Sequence, residues 1–126
     1  MDVQEKYRET TFTTQSQGQL VVMLYDGAIR FLKIAREKLE EEDYAGKGIY
    51  IGKAQDIISE LNNSLDMDAG GELSKNLRAL YNFLYRHLNQ ANMDRDVEKI
   101  GDCIEILEQL HGAWEDVAEK EPSAGG

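Results

Sequence analysis

The sequence predicts an all-α protein: an antiparallel up-down-up-down four-helix bundle with an irregular N-terminal arm. Three observations lead there. Apolar residues recur at steps of three and four in four separate stretches, which is the period of an amphipathic helix and not of a half-buried strand. The only proline, Pro122, lies beyond all four stretches, so nothing within them carries proline's block on helix interiors. The links between stretches are only a few residues, which forces consecutive helices to run antiparallel. A chain of 126 residues is one domain by default.

Residues 1–15 do not share the helical period. Tyr7 and Phe12 are isolated aromatics there, the second inside TTFTTQSQ, and the segment reads as an arm that is loose or laid across the bundle. The bundle is expected over residues 16–120. Its first helix carries Leu20, Leu24, Ala28, Phe31, Ala35 and Leu39, with Ser16 as N-cap and Gln19 completing a capping box. The second carries Ile51, Ala54, Ile58, Leu61 and Leu65 behind Asp43 as N-cap, with Gly46, Gly48 and Gly52 weakening its first turns. The third is entered through Asp68-Ala69-Gly70-Gly71 and carries Leu73, Leu77, Leu80, Leu84, Leu88 and Ala91. The fourth carries Val97, Ile100, Ile104, Leu107, Leu110, Trp114 and Val117, with Asp94 as expected cap. Residues 121–126 offer no apolar anchor and read as a disordered tail.

Charge narrows the function. Fourteen Lys and Arg against twenty-four Asp and Glu leave a net charge of −10, which argues against nucleic-acid or anionic-membrane partners. The first residues lack the apolar core of a signal peptide, and no run is long enough to span a bilayer. A single cysteine, Cys103, cannot close an internal disulfide, so a reducing, cytoplasmic address is expected.

Enzymatic chemistry finds little support. A di-iron bundle needs two Glu-x-x-His motifs, and only Glu108-Gln109-Leu110-His111 matches, since His87 has Leu84 three positions before it. Asp66-Met67-Asp68 before Gly70-Gly71 resembles half a calcium loop, but the twelfth position is Leu77 rather than a bidentate Glu. No nucleophile elbow or phosphate-cradling glycine loop is present, and no metal or cofactor is expected.

The informative excess is apolar. Tyr50 and Ile57, seven apart beside Ala54 and Leu61, form a second stripe about 100° round the second helix. In the third helix Tyr81 and Tyr85 stand one position beyond Leu80 and Leu84. Two accounts fit: tyrosines packed at the bundle rim with hydroxyls in water, or a groove for an amphipathic helix of another chain. Charge is uneven as well, with ten acids and three bases from Asp94 to Glu121, a face that serves solubility or docks a basic partner.

Several stretches, in order, resemble the bacterial flagellin export chaperones of the FliS type. They are Tyr7 in the arm, Ser16-Gln17-Gly18-Gln19-Leu20, Met23-Leu24-Tyr25-Asp26-Gly27-Ala28, Ala54-Gln55-Asp56-Ile57-Ile58 with Glu60-Leu61-Asn62, Asn76-Leu77 through Leu80-Tyr81 and Tyr85-Arg86 to Gln90-Ala91-Asn92, and Trp114. Together they span roughly residues 7 to 117. One departure is Gln17, where the family often has proline after the helix cap.

The resemblance implies a helical bundle that binds the disordered C-terminal segment of flagellin in the cytoplasm. It would prevent premature polymerisation and deliver the client to the flagellar type III export gate, with the arm covering part of the binding surface when no client is present. Client contacts are expected at Tyr7, Phe12, Tyr50, Ile57, Leu61, Tyr81 and Tyr85, and the free protein is expected to be a monomer or weak dimer. The competing readings are a generic adaptor for an amphipathic helix and, from a different class, a metal-dependent bundle enzyme.

Overall fold

The computed structural model describes residues 17–120, and these form four helices: α1 (Gln17–Glu40), α2 (Tyr44–Asn63), α3 (Gly71–Asp94) and α4 (Val97–Lys120). Among the described residues there is no strand. Each helix packs on its neighbours in sequence, and α1 also packs on α4, which closes the four into an antiparallel bundle. The arm with Tyr7 and Phe12, the Ser16 cap and the tail lie outside the described residues.

Local chemistry sets the turns. After α1 the Asp43 N–H donates to the Lys38 carbonyl at 2.8 Å and the Glu42 N–H to the Leu39 carbonyl at 3.0 Å, a Schellman closure with Glu42 at φ 63. Asp43 then caps α2, its Oδ1 accepting from the Gly46 N–H at 2.9 Å, as expected. Between α2 and α3, Asp66 Oδ1 accepts from the Asp68 and Ala69 N–H groups. The Asp66 carbonyl also accepts from the Ser74 hydroxyl at 2.9 Å. That bond leaves no room at the preceding turn: a Cβ at Gly70 would stand 1.7 Å from Ser74 Oγ, and Gly71 takes φ +54.

The cap of α4 is Asp96 and not Asp94. Asp96 Oδ1 accepts from the N–H groups of Glu98 and Lys99, whereas Asp94 still belongs to α3 and accepts from Gln90 Nε2 at 2.6 Å. The helix ends instead at Arg95, in the left-handed conformation, whose guanidinium carbon lies 3.6 Å from the centre of the Tyr44 ring. The α1–α2 and α3–α4 turns therefore clasp each other at one end of the bundle.

The core differs from the expected stripes on α1, α3 and α4. On α1 the buried face is Tyr25, Ala28, Ile29, Leu32 and Ala35, while Leu20, Leu24 and Phe31 are only partly buried. On α3 it is Ser74, Leu77, Tyr81, Leu84, Leu88 and Ala91, with Leu80 partly buried and Leu73 62% exposed. Both helices carry apolar residues on two adjoining faces, and steps of three and four fit either face. The face that wins is the one enclosed by helices on both sides. On α2, Ile51, Ala54, Ile58 and Leu61 are buried as expected; on α4, Ile100, Ile104 and Leu107 are buried with Cys103, while Leu110 and Trp114 are only partly buried and the end residues Val97 and Val117 are exposed. Each large aliphatic side chain removed from water contributes about 1.5–3 kcal/mol.

Candidate functional site

The seam between α1 and α2 is apolar and close. Gly27 allows the approach, since a Cβ there would stand 3.1 Å from Ile57 Cδ1. Further along, the rings of Phe31 and Tyr50 meet at 6.0 Å between centroids. Lys53 Nζ lies over both rings, 5.7 Å from the Phe31 centroid and 6.0 Å from that of Tyr50. Phe31, Tyr50 and Ile57 pack against the core yet stay partly open to solvent. Beyond Gly27 the seam widens into a groove of about 340 Å³ lined by Gln17, Leu20, Val21, Met23, Leu24, Glu60 and Ser64. Met23, half exposed at 51%, forms its lip. From Leu20 to Phe31 the open strip runs about three helical turns, roughly 16 Å.

The opposite side of α2 is polar. Lys47, 5% exposed, donates from Nζ to the Asn92 carbonyl at 2.9 Å and to Asn92 Oδ1 at 2.6 Å. Burial, with a contribution from Arg95, lowers its pKa. Gln55 Nε2 donates to the Tyr85 carbonyl and to Asn89 Oδ1, and Asn62 bonds Asn82 while accepting from Arg78. These side chains bridge α2 and α3 along most of their length.

The α1–α4 seam carries charge. Lys33 pairs with Glu108 at 3.2 Å, and His111 stands between two carboxylates, Nε2 2.8 Å from Asp26 Oδ1 and Nδ1 2.8 Å from Glu115 Oε1. The Nε2 approach is close enough for an ion pair of the protonated ring but is not aligned as a hydrogen bond. Both members of the Glu-x-x-His motif are thus engaged in bundle contacts, and no cluster of three potential ligands exists among the described residues. Asp66, from the half calcium loop, spends its carboxylate on the turn.

Where α1 begins and α2 ends, a cavity of about 180 Å³ opens between Val21, Leu61, Leu65, Leu73, Leu77, Tyr81 and Trp114. Beside it the Tyr25 and Tyr81 hydroxyls bond each other at 2.5 Å in the core. Burial pushes both pKa values up.

The expected contact residues therefore separate. Tyr50 and Ile57 stand together on the α1–α2 face. Leu61 and Tyr81, each 2% exposed, are core residues and not rim residues, because their positions fall on the enclosed faces of α2 and α3. Tyr85 is 39% exposed, on the α2–α3 side, where its carbonyl is held by Gln55. Phe31, Leu20, Leu24 and Met23 were missed as surface residues, although their spacing of three, four and seven marks a second stripe on α1 as clearly as Tyr50 and Ile57 mark one on α2.

No helix of the described residues is long and apolar enough to cross a membrane. Comparison with known proteins matches residues 1–121 to the family of the flagellar protein FliS. The chain is 37% identical over 113 residues to the flagellar secretion chaperone FliS of Salmonella typhimurium, covering 89% of this chain and 84% of that one. It is 36% identical over 109 residues to the protein of the same name from Escherichia coli, covering 86% and 80%. Against that of Bacillus subtilis it is 32% identical over 115 residues, covering 91% and 85%. With a bundle of the expected architecture and matches of this extent, the chain belongs to the FliS family, a family of flagellar secretion chaperones.

Proposed function

We propose that the protein is a non-enzymatic cytoplasmic chaperone that binds the disordered C-terminal segment of flagellin, keeps it from polymerising and passes it to the flagellar export apparatus. The observation that carries this reading is the apolar strip of the α1–α2 face, open on a bundle whose relatives are flagellar secretion chaperones. Leu20, Met23, Leu24 and Phe31 of α1 with Tyr50 and Ile57 of α2 give anchors at the spacing an amphipathic helix reads. Tyr7 and Phe12 of the arm compete with the client for part of that surface, and Tyr85 adds a contact on the neighbouring side. The client pays for its ordering when it folds on the chaperone, so affinity comes from a long wrapped surface.

The test is calorimetric titration with the C-terminal segment of the flagellin encoded in the same genome, with circular dichroism of both partners before and after mixing. One-to-one binding with a gain of helix and a negative heat-capacity change is the expected result. No binding at tens of micromolar, about the weakest range a useful client complex would occupy, returns the function to another helical partner.

A further inference from the structure

We propose, on the reading that a client helix occupies the α1–α2 face, that this groove chooses its client by flanking charge: an acidic side chain is held against Lys53 and a basic one against Glu60. The floor of the groove, from Leu24 and Gly27 to Phe31, Tyr50 and Ile57, is apolar and accepts any helix with an apolar stripe. Discrimination has to come from its edge. Of the three exposed charged residues of α2, Lys53, Asp56 and Glu60, the geometry places the first over the Phe31 and Tyr50 rings and the last on the wall of the wider end beside Leu20 and Leu24.

Neither charge is neutralised within the bundle. Among the described residues neither has an opposite charge within ion-pair distance, whereas Lys33 pairs with Glu108, Lys38 with Glu41 and Asp43, and Lys75 with Glu72. They are seven residues apart, about two turns or roughly 10 Å along the helix. A client helix packed nearly parallel or antiparallel to α2 has the same rise, so an acid and a base about seven apart on its flank meet both. The field of the whole protein sharpens the choice. With a net charge of −10 the surface repels acidic segments, and the ammonium of Lys53 supplies a local exception where one carboxylate is welcome.

The experiment uses the full chain and the same flagellin C-terminal segment. A carbodiimide, which joins an amine and a carboxylate only where they touch, is applied to the complex and the products are mapped by mass spectrometry. The expected links run from Lys53 to a client Asp or Glu and from Glu60 to a client Lys about seven residues away. Lys53→Glu and Glu60→Lys, both at exposed positions, are each expected to weaken binding about fivefold at low salt, with the effect shrinking as salt rises. A complex that forms with links at neither residue, and with affinities within about twofold of one another, overturns the charge reading and leaves the chaperone reading standing. Failure of the unaltered protein to bind the segment overturns both.

Discussion

On its α1 side, α2 meets its neighbour through Ile57 over Gly27 and Tyr50 against Phe31; on its α3 side it reaches Asn92, Asn89, Asn82 and Arg78 through Lys47, Gln55 and Asn62. The polar seam is directional. Each bond has one partner at one height, so it fixes how α3 is placed along α2 and leaves little unsatisfied for another chain to take. The apolar seam is not directional: its rings and methyl groups gain equally from any apolar atoms brought against them, and part of their surface is still open. One helix thus carries a face that locks the fold and a face that can accept a guest. A bundle built only of apolar seams would have neither a fixed register nor a preferred side for binding.

The sharpest way to break this comparison is to truncate a tyrosine on each side of the boundary between core and rim. Tyr81→Ala removes a core ring and should cost about 4 kcal/mol in urea unfolding, whereas Tyr50→Ala, half-buried, should cost about 1 kcal/mol and instead lower client affinity. Equal costs would erase the distinction. In the polar seam, Asn92→Leu removes the amide acceptor of a buried ammonium and should cost about 2 kcal/mol, and adding Lys47→Met should recover most of that, because the expense lies in the unpaired charge.

The pH dependence comes next. The Tyr25 and Tyr81 hydroxyls have raised pKa values in the fold, so their contribution is complete below pH 10, where the unfolded phenols ionise, and is lost as pH climbs above it. Burial pushes the Cys103 thiol up to about 12, so its share is complete below its ordinary value of 9.0 and falls from there. Lys47, with a lowered pKa, has the opposite sign as pH approaches its ordinary 10.5. Unfolding free energy should therefore drop in alkali by up to about 1.4 kcal/mol per pH unit for each buried acid, and Tyr81→Phe should make the drop shallower. The smallest effect belongs to the turns: Glu42→Gly should stabilise by about 0.5–1 kcal/mol, since glycine accepts φ 63 without a Cβ penalty. An unchanged midpoint would show that the Schellman turn is not strained.

Four helices, their order and the Asp43 cap were legible in the sequence because periodicity and capping are local. What was not legible is which of two adjoining apolar faces points inward. On α1 the residues Leu20, Leu24 and Phe31 and the residues Tyr25, Ile29 and Leu32 obey the same spacing, and only the placement of α2 and α4 decides between them. Tyr81 was misplaced for the same reason, its hydroxyl being made tolerable in the core by Tyr25, 56 positions away. The Asp96 cap was lost to Asp94, two residues earlier, because the stop of α3 at a left-handed arginine has no sequence marker as plain as glycine. Tyr50 and Ile57 were legible as a pair because α2 has a single enclosed face and they lie off it.

The most direct test of the central claim is methyl NMR on the protein with and without the flagellin C-terminal segment, using no substitution at all. Ile57 reports the α1–α2 face, and Ile106, partly buried on α4 and absent from that face, reports the far side. A guest helix on the α1–α2 face should shift the Ile57 Cδ1 methyl with saturation at one equivalent while the Ile106 methyl holds its place. A shift at Ile106 with Ile57 unmoved would contradict it.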